Sequence, residues 1–203
     1  MKRCAAIAAL LCLGSSAARA QDGAVDTQRF QPRVTTGGYL QTEGSDVRYP
    51  VDPFSLGFWL SYAHNPLVVI DNGEVVAEIV SAQIAFDLTA SYAFTNWFEL
   101  GLHVPLAYLA GDDLDEAALG DTRLLPKLRL LNDARDGIGL AFLADVRLPT
   151  HTSDFYGGAR LPAVAPRLVL DHRFGLSGFR AALELGVLLR DAPRYPDAPA
   201  STT

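Results

Sequence analysis

VSAQIAFDLTASYAF, residues 80–94, alternates apolar and non-apolar side chains over its whole length. A period of two places every second side chain on one face of a strand. Val80, Ala82, Ile84, Phe86, Leu88, Ala90, Tyr92 and Phe94 share one face, and Ser81, Gln83, Ala85, Asp87, Thr89 and Ser91 the other. The stretch is near the length a tilted strand needs to cross a bilayer.

The same alternation recurs on both sides of it. Residues 54–62 put Phe54, Leu56, Phe58, Leu60 and Tyr62 on one face. Residues 98–108 put Phe98, Leu100, Leu102, Val104, Leu106 and Tyr108 outward, with Glu99, Gly101, His103 and Ala107 inward. Further runs cover 122–130, 138–148, 164–174 and 179–189. Their apolar faces carry Leu124, Leu128, Phe142, Val146, Leu168, Leu170, Leu183 and Leu185. An apolar outside and a polar inside, repeated down the chain, predict an all-β fold: an antiparallel transmembrane β-barrel with about seven visible strands.

The connections read as alternating in length. Short ones fall at 94–97, 132–137 and 175–178, and long ones at 63–79, 109–121 and 149–163. Outer-membrane barrels have short periplasmic turns and longer external loops, so a periplasmic start places every long loop outside. Trp59, Tyr62, Tyr92, Phe94, Trp97, Phe98, Tyr108 and Phe174 gather near strand ends, as interfacial girdles do. Seven strands leave an unpaired edge, and single-chain bacterial barrels have an even number, so the expectation is an incomplete barrel.

The N-terminus reads as a separate object. Lys2 and Arg3 precede an apolar stretch at 5–13 and a small-x-small site, Ala18-Arg19-Ala20. That order predicts a secretory signal at 1–20, cleaved before Gln21. Cys4 and Cys12 both fall inside it, so the mature chain would have no thiol and no disulfide. It would carry 14 basic against 23 acidic residues, a poor balance for a nucleic-acid partner. Residues 21–53 read as a periplasmic leader, within which 36–42 fit a short strand or a plug segment. Residues 54–190 read as the barrel and 191–203 as a loop-like tail.

The inward faces of the later strands hold Arg123, Lys127, Arg129, Arg147, Arg167, Arg173, Arg180 and Arg190, facing Asp87, Glu99, Asp145, Asp171 and Glu184. Such a lumen is either a path biased toward anions or an ion-pair network that fills a narrow barrel. No metal or cofactor is expected. His64, His103, His151 and His172 have no ligand spacing, and the acidic stretch 112–116 lacks that of a calcium loop. His172 falls on the apolar face near a strand end, where an interfacial histidine is the plain reading. No G-x-S-x-G nucleophile turn occurs, and no catalytic triad assembles.

The segment GDTRLLPKLRLL at 120–131 resembles a stretch of the N-terminal barrel of OmpA-family proteins of myxobacterial type, and of related barrels associated with phenol degradation or transport. Gln28-Arg29-Phe30, YAHNPLV at 62–68, ELGLHVPL at 99–106 and LPTHTSDFYG at 148–157 are similar too. The resemblance implies an outer-membrane barrel. In OmpA-like members a calcium-binding repeat region and a peptidoglycan-binding domain follow the barrel. The residues here include neither, so peptidoglycan becomes a partner only if a further C-terminal domain exists. Gly120, Asp121, Pro126 and Lys127 match the pattern without an assigned chemistry, and a structural role at the start of a strand is expected.

The leading expectation is thus a non-enzymatic outer-membrane barrel, structural or a passive pore, with membrane lipid and small solutes as partners. Two alternatives stand beside it. One is an uptake channel for small hydrophobic compounds. The other is a soluble exported β-sandwich whose apolar faces meet in a core.

Overall fold

The computed structural model describes residues 27–28, 30–111, 114–157, 161–175 and 178–189. The predicted signal, Asp112, Asp113, Arg190 and the tail lie outside the described residues. The described chain is nearly all antiparallel β. Its strands are β1 (Phe54–Asp71), β2 (Glu74–Ala93), β3 (Phe98–Ala110), β4 (Asp115–Leu119), β5 (Thr122–Leu131), β6 (Gly139–Leu148), β7 (Ala163–Phe174) and β8 (Phe179–Gly186). They form one sheet in the order β1-β2-β3-β5-β6-β7-β8, with β4 also pairing β3. The sheet curls into a half-barrel. Among the described residues β1 pairs only β2, and β8 only β7, so both are edges.

Burial follows the period-two reading. On β2, Ile84, Phe86, Leu88 and Tyr92 are exposed on the convex face, while Gln83, Asp87, Thr89 and Ser91 are buried on the concave one. This inverts a soluble sheet, which buries its apolar face. The ladder is regular where the alternation is regular, as in Phe86↔Leu106 and Leu88↔Val104 between β2 and β3.

Two of the predicted long connections are mostly strand. Between β1 and β2 the turn is only Asn72-Gly73, both left-handed (φ 48° and 88°). Asn-Gly is the favoured pair for a two-residue hairpin turn whose twist matches the strands. The alternation fails before that turn because register shifts interrupt the β1–β2 ladder between His64 and Ile70, with Asn65 at φ 49°. Each shift resets which parity faces inward, so Val80 is buried although it shares parity with exposed Ile84. The connection expected at 109–121 shrinks to 111–114. Here β4 pairs Leu106–Ala110, and β5 resumes against His103 after a register shift of one residue at Gly120-Asp121. At the third site the described residues 149–157 and 161–162 belong to no named strand, with Tyr156 buried and Thr150 Oγ1 accepting from the Thr122 amide. Toward the C-terminus, β8 ends at Gly186, short of the predicted 189, although Leu189 still bridges Val164.

At the short-turn end a single helical turn, α1 (Asp133–Asp136), is capped by Asn132, whose side chain accepts from the Ala134 amide. His172 Nδ1 lies 2.8 Å from Asp133 Oδ1, and the Arg173 amide donates to Oδ2 at 3.0 Å. Desolvation pushes the Asp133 carboxyl up, but these donors outweigh it and hold the group below the usual carboxylate range. A depressed folded pKa stabilises above the unfolded value near 3.9 and is lost as pH falls through the folded one. Thermal unfolding scanned from pH 6 to strong acid therefore shows a loss of up to about 1 kcal/mol from this group, absent in Asp133→Asn.

Candidate functional site

The candidate site is the concave face of the half-barrel, where residues 30–50 are seated. Two arrangements of charge lie beneath them. The first runs across the sheet, roughly one residue per strand. Asp87 on β2 meets His103 Nε2 at 2.8 Å, and His103 is cross-strand from Arg123 on β5. Arg123 donates Nε and Nη2 to the two oxygens of Asp145 on β6, at 3.1 and 3.0 Å. Asp145 also takes Arg167 of β7, with Arg147 at 3.6 Å. Arg167 donates to Glu184 of β8 at 2.9 Å. Such pairing satisfies charges that would otherwise be buried alone.

The second arrangement holds the seated segment. Lys127 on β5 is fully buried and paired with Glu99 Oε2 at 2.8 Å. Its Nζ also reaches Thr35 Oγ1 (3.0 Å) and the carbonyls of Thr36 (2.9 Å), Gly44 (3.3 Å) and Asp46 (2.6 Å). Glu99 in turn accepts from the Thr36 amide and hydroxyl at 2.7 and 2.9 Å. Asp171 accepts from the Ser45 amide and hydroxyl at 2.8 and 2.7 Å, and from Arg180. Glu184 Oε2 accepts from the Glu43 amide, Arg129 donates to the Val47 carbonyl, and Arg180 to that of Gly37. Arg173, at the rim and mostly exposed, pairs with Asp46. Every predicted lumen charge except Arg190, which is not described, thus has a named partner.

Within the segment, Glu43 accepts from the Val34 amide (2.7 Å) and from the Thr35 amide and hydroxyl (3.0 and 2.6 Å). The Arg33 amide bonds Leu40 O, and the Tyr39 amide bonds Thr42 O. Residues 36–42, read as a short strand or a plug segment, are therefore a turn inside a plug. Gly101 and Gly139 make room for it. A Cβ at Gly101 would lie 2.7 Å from Val34 Cγ1, and one at Gly139 would clash with the Ser45 and Asp171 side-chain oxygens. Gly139→Val overpacks this contact by about 1–3 kcal/mol. Trypsin cleavage after Arg33 is expected to quicken about tenfold for each 1.4 kcal/mol of loosening.

One residue sits elsewhere than expected. Trp59 faces the concave side, its ring 6.0 Å from Phe30 of the seated segment, and not outward with the strand-end aromatics among which the sequence reading puts it. His103 faces inward as its parity assigns, where it is a fully buried partner of Asp87. The segment's own Thr35, Thr36, Glu43 and Ser45 were missing from the predicted site. The available signal was Gly37-Gly38 and Gly44 around a polar run holding Glu43 and Asp46.

Near the segment's start, a cleft of about 340 Å³ is lined by Phe30, Tyr62, His64, Asn65, Gln83 and Tyr156 among others. No match to this chain was found among protein-family models, curated proteins or solved structures.

Proposed function

We propose that this chain is a non-enzymatic outer-membrane β-barrel protein whose lumen is filled by its own N-terminal segment. The observation that carries the reading is the inverted sheet. Leu56, Phe58 and Leu60 are 72, 60 and 63% exposed, and comparable side chains continue across the convex face to Leu185 on β8. A soluble monomer exposes apolar patches of only about 300–600 Å². A lipid phase turns the same surface into a favourable contact.

The dimensions agree. From Phe98 to Tyr108 β3 advances ten residues, about 34 Å along the strand at ~3.4 Å each. Tilted about 45°, it rises about 24 Å, against an apolar band of ~25 Å. Aromatic side chains sit at the short-turn end (Phe54, Tyr92, Phe94, Trp97, Phe174, Phe179) and, at the other, Tyr62 and Tyr108. Edge strands β1 and β8 run in the same direction, so antiparallel closure needs a strand of opposite direction between them.

Within this reading the ion-pair network and the seated segment favour a filled, structural barrel over an open passive pore. An OmpA-like assignment rests on the sequence resemblance alone. The cleft beside Phe30 and Tyr62 favours a second reading, uptake of small hydrophobic compounds. Folding into vesicles tests the first: the folded protein is expected to migrate faster than the heat-denatured form on a detergent gel. Wild-type vesicles that take up a small aromatic solute faster than protein-free ones would favour the second.

A further inference from the structure

The seated segment is joined to the sheet mostly through side chains. Among the described residues, its backbone bonds to other elements lie at its ends: the Thr27 amide to Phe155 O at 3.2 Å, and the Ala93 amide to Pro53 O at 2.8 Å. Between these tethers the sheet holds it mostly through side chains, and no strand ladder includes it. Many of the acceptors it offers the sheet's cations are neutral carbonyls, those of Thr36, Gly44 and Asp46 to Lys127, Val47 to Arg129 and Gly37 to Arg180. Water or the oxygen of a solute supplies the same contact.

We propose that residues 33–47 are a displaceable plug, and that the concave face beneath it is a path for small anions. The inference rests on the membrane-barrel reading. A permanently dry interior has little use for buried charges, since apolar side chains of like volume are often as stable or more so. A surface alternately covered and wetted needs them. Asp87 Oδ2, His103 Nδ1 and Arg123 Nη1 are buried without a hydrogen-bond partner, so the transverse row keeps polar capacity unused in the covered state. Seven cations (Arg123, Lys127, Arg129, Arg147, Arg167, Arg173, Arg180) face five carboxylates (Asp87, Glu99, Asp145, Asp171, Glu184) on this face of the strands, and Glu116 of β4, cross-strand from buried Leu109, adds a further carboxylate. The plug carries Glu43 and Asp46 against its own Arg33, a net negative charge that offsets the remaining excess, and its withdrawal restores that excess. Fixed cations along a lumen favour anions.

A disulfide between plug and sheet tests this. A Cβ at Gly101 lies 3.4 Å from Val34 Cβ, near the usual separation for a bridge. The full-length Val34→Cys/Gly101→Cys protein is placed in planar bilayers in a potassium chloride gradient, oxidised and then reduced. The expected result is a bridge that forms on oxidation, silence while it is intact, and conductance on reduction with a reversal potential displaced toward that of chloride. Arg180→Gln with Lys127→Gln in the reduced protein is expected to move that potential back toward zero. Failure of the bridge to form, equal silence of a reduced protein that still shows heat-modified mobility, or a potassium-directed reversal potential would each overturn the plug while leaving the barrel standing. Recovery of the protein from the soluble fraction would overturn both.

Discussion

Lys127→Met is expected to cost about 3–5 kcal/mol of stability, the largest loss of any single concave-face change. The ammonium group is fully buried and is the common partner of Glu99 and of three plug carbonyls. Removing it leaves the Glu99 carboxyl in a dry setting with neutral donors such as Thr36 N and Oγ1 and no cation. The penalty is mainly that of the abandoned carboxylate. Two measurements check it. Denaturant unfolding in lipid gives the loss, and the double variant Lys127→Met/Glu99→Gln is expected to recover a large part of it. If the single variant unfolds like wild type, the buried pair does not hold the plug.

Leu102→Arg gives the second large effect, and its size depends on the surroundings of the convex face. Leu102 is exposed near the middle of β3, between Leu100 and Val104 and cross-strand from Ala90 and Leu124. A cation at the bilayer midplane costs about 2–4 kcal/mol on such a strand. On a surface facing water the same change falls within about ±0.5 kcal/mol. Thr89→Leu supplies the contrast. It places an apolar side chain on the concave face at a buried position, and its cost is one of packing, independent of lipid. Unfolding of both variants from phospholipid vesicles separates the two surfaces.

The sequence made the strands legible because the side-chain period is a direct record of which face each residue takes. Residues 84–92 and 98–108 could be read from their alternation, and each concave-face charge among the described residues lies on the side its parity assigns. The reading failed where parity itself is broken. Bulges between His64 and Ile70 erase the alternation, so the extension of β1 and β2 to Asn72-Gly73 reads as a loop, although Asn-Gly between LVVID and EVVAEIV is a hairpin signal. The one-residue register shift at Gly120-Asp121 hides β4 in the same way. Trp59 was placed by residue type and not by parity, which points it inward to Phe30. The plug was the least legible part. It has no period, and the glycines that admit it belong to strands far along the chain, Gly101 and Gly139. The partners of Lys127 are mostly backbone carbonyls, which any sequence supplies.

The measurement that tests the central claim most directly is the location of the native protein after membranes are washed with alkaline carbonate and floated on a density gradient. An apolar convex face set in lipid keeps the protein in the floating outer-membrane fraction, and only detergent releases it. Quantitative release into the carbonate supernatant as a folded, detergent-free protein would contradict the account and return the chain to a soluble sheet whose apolar face is covered by another protein surface.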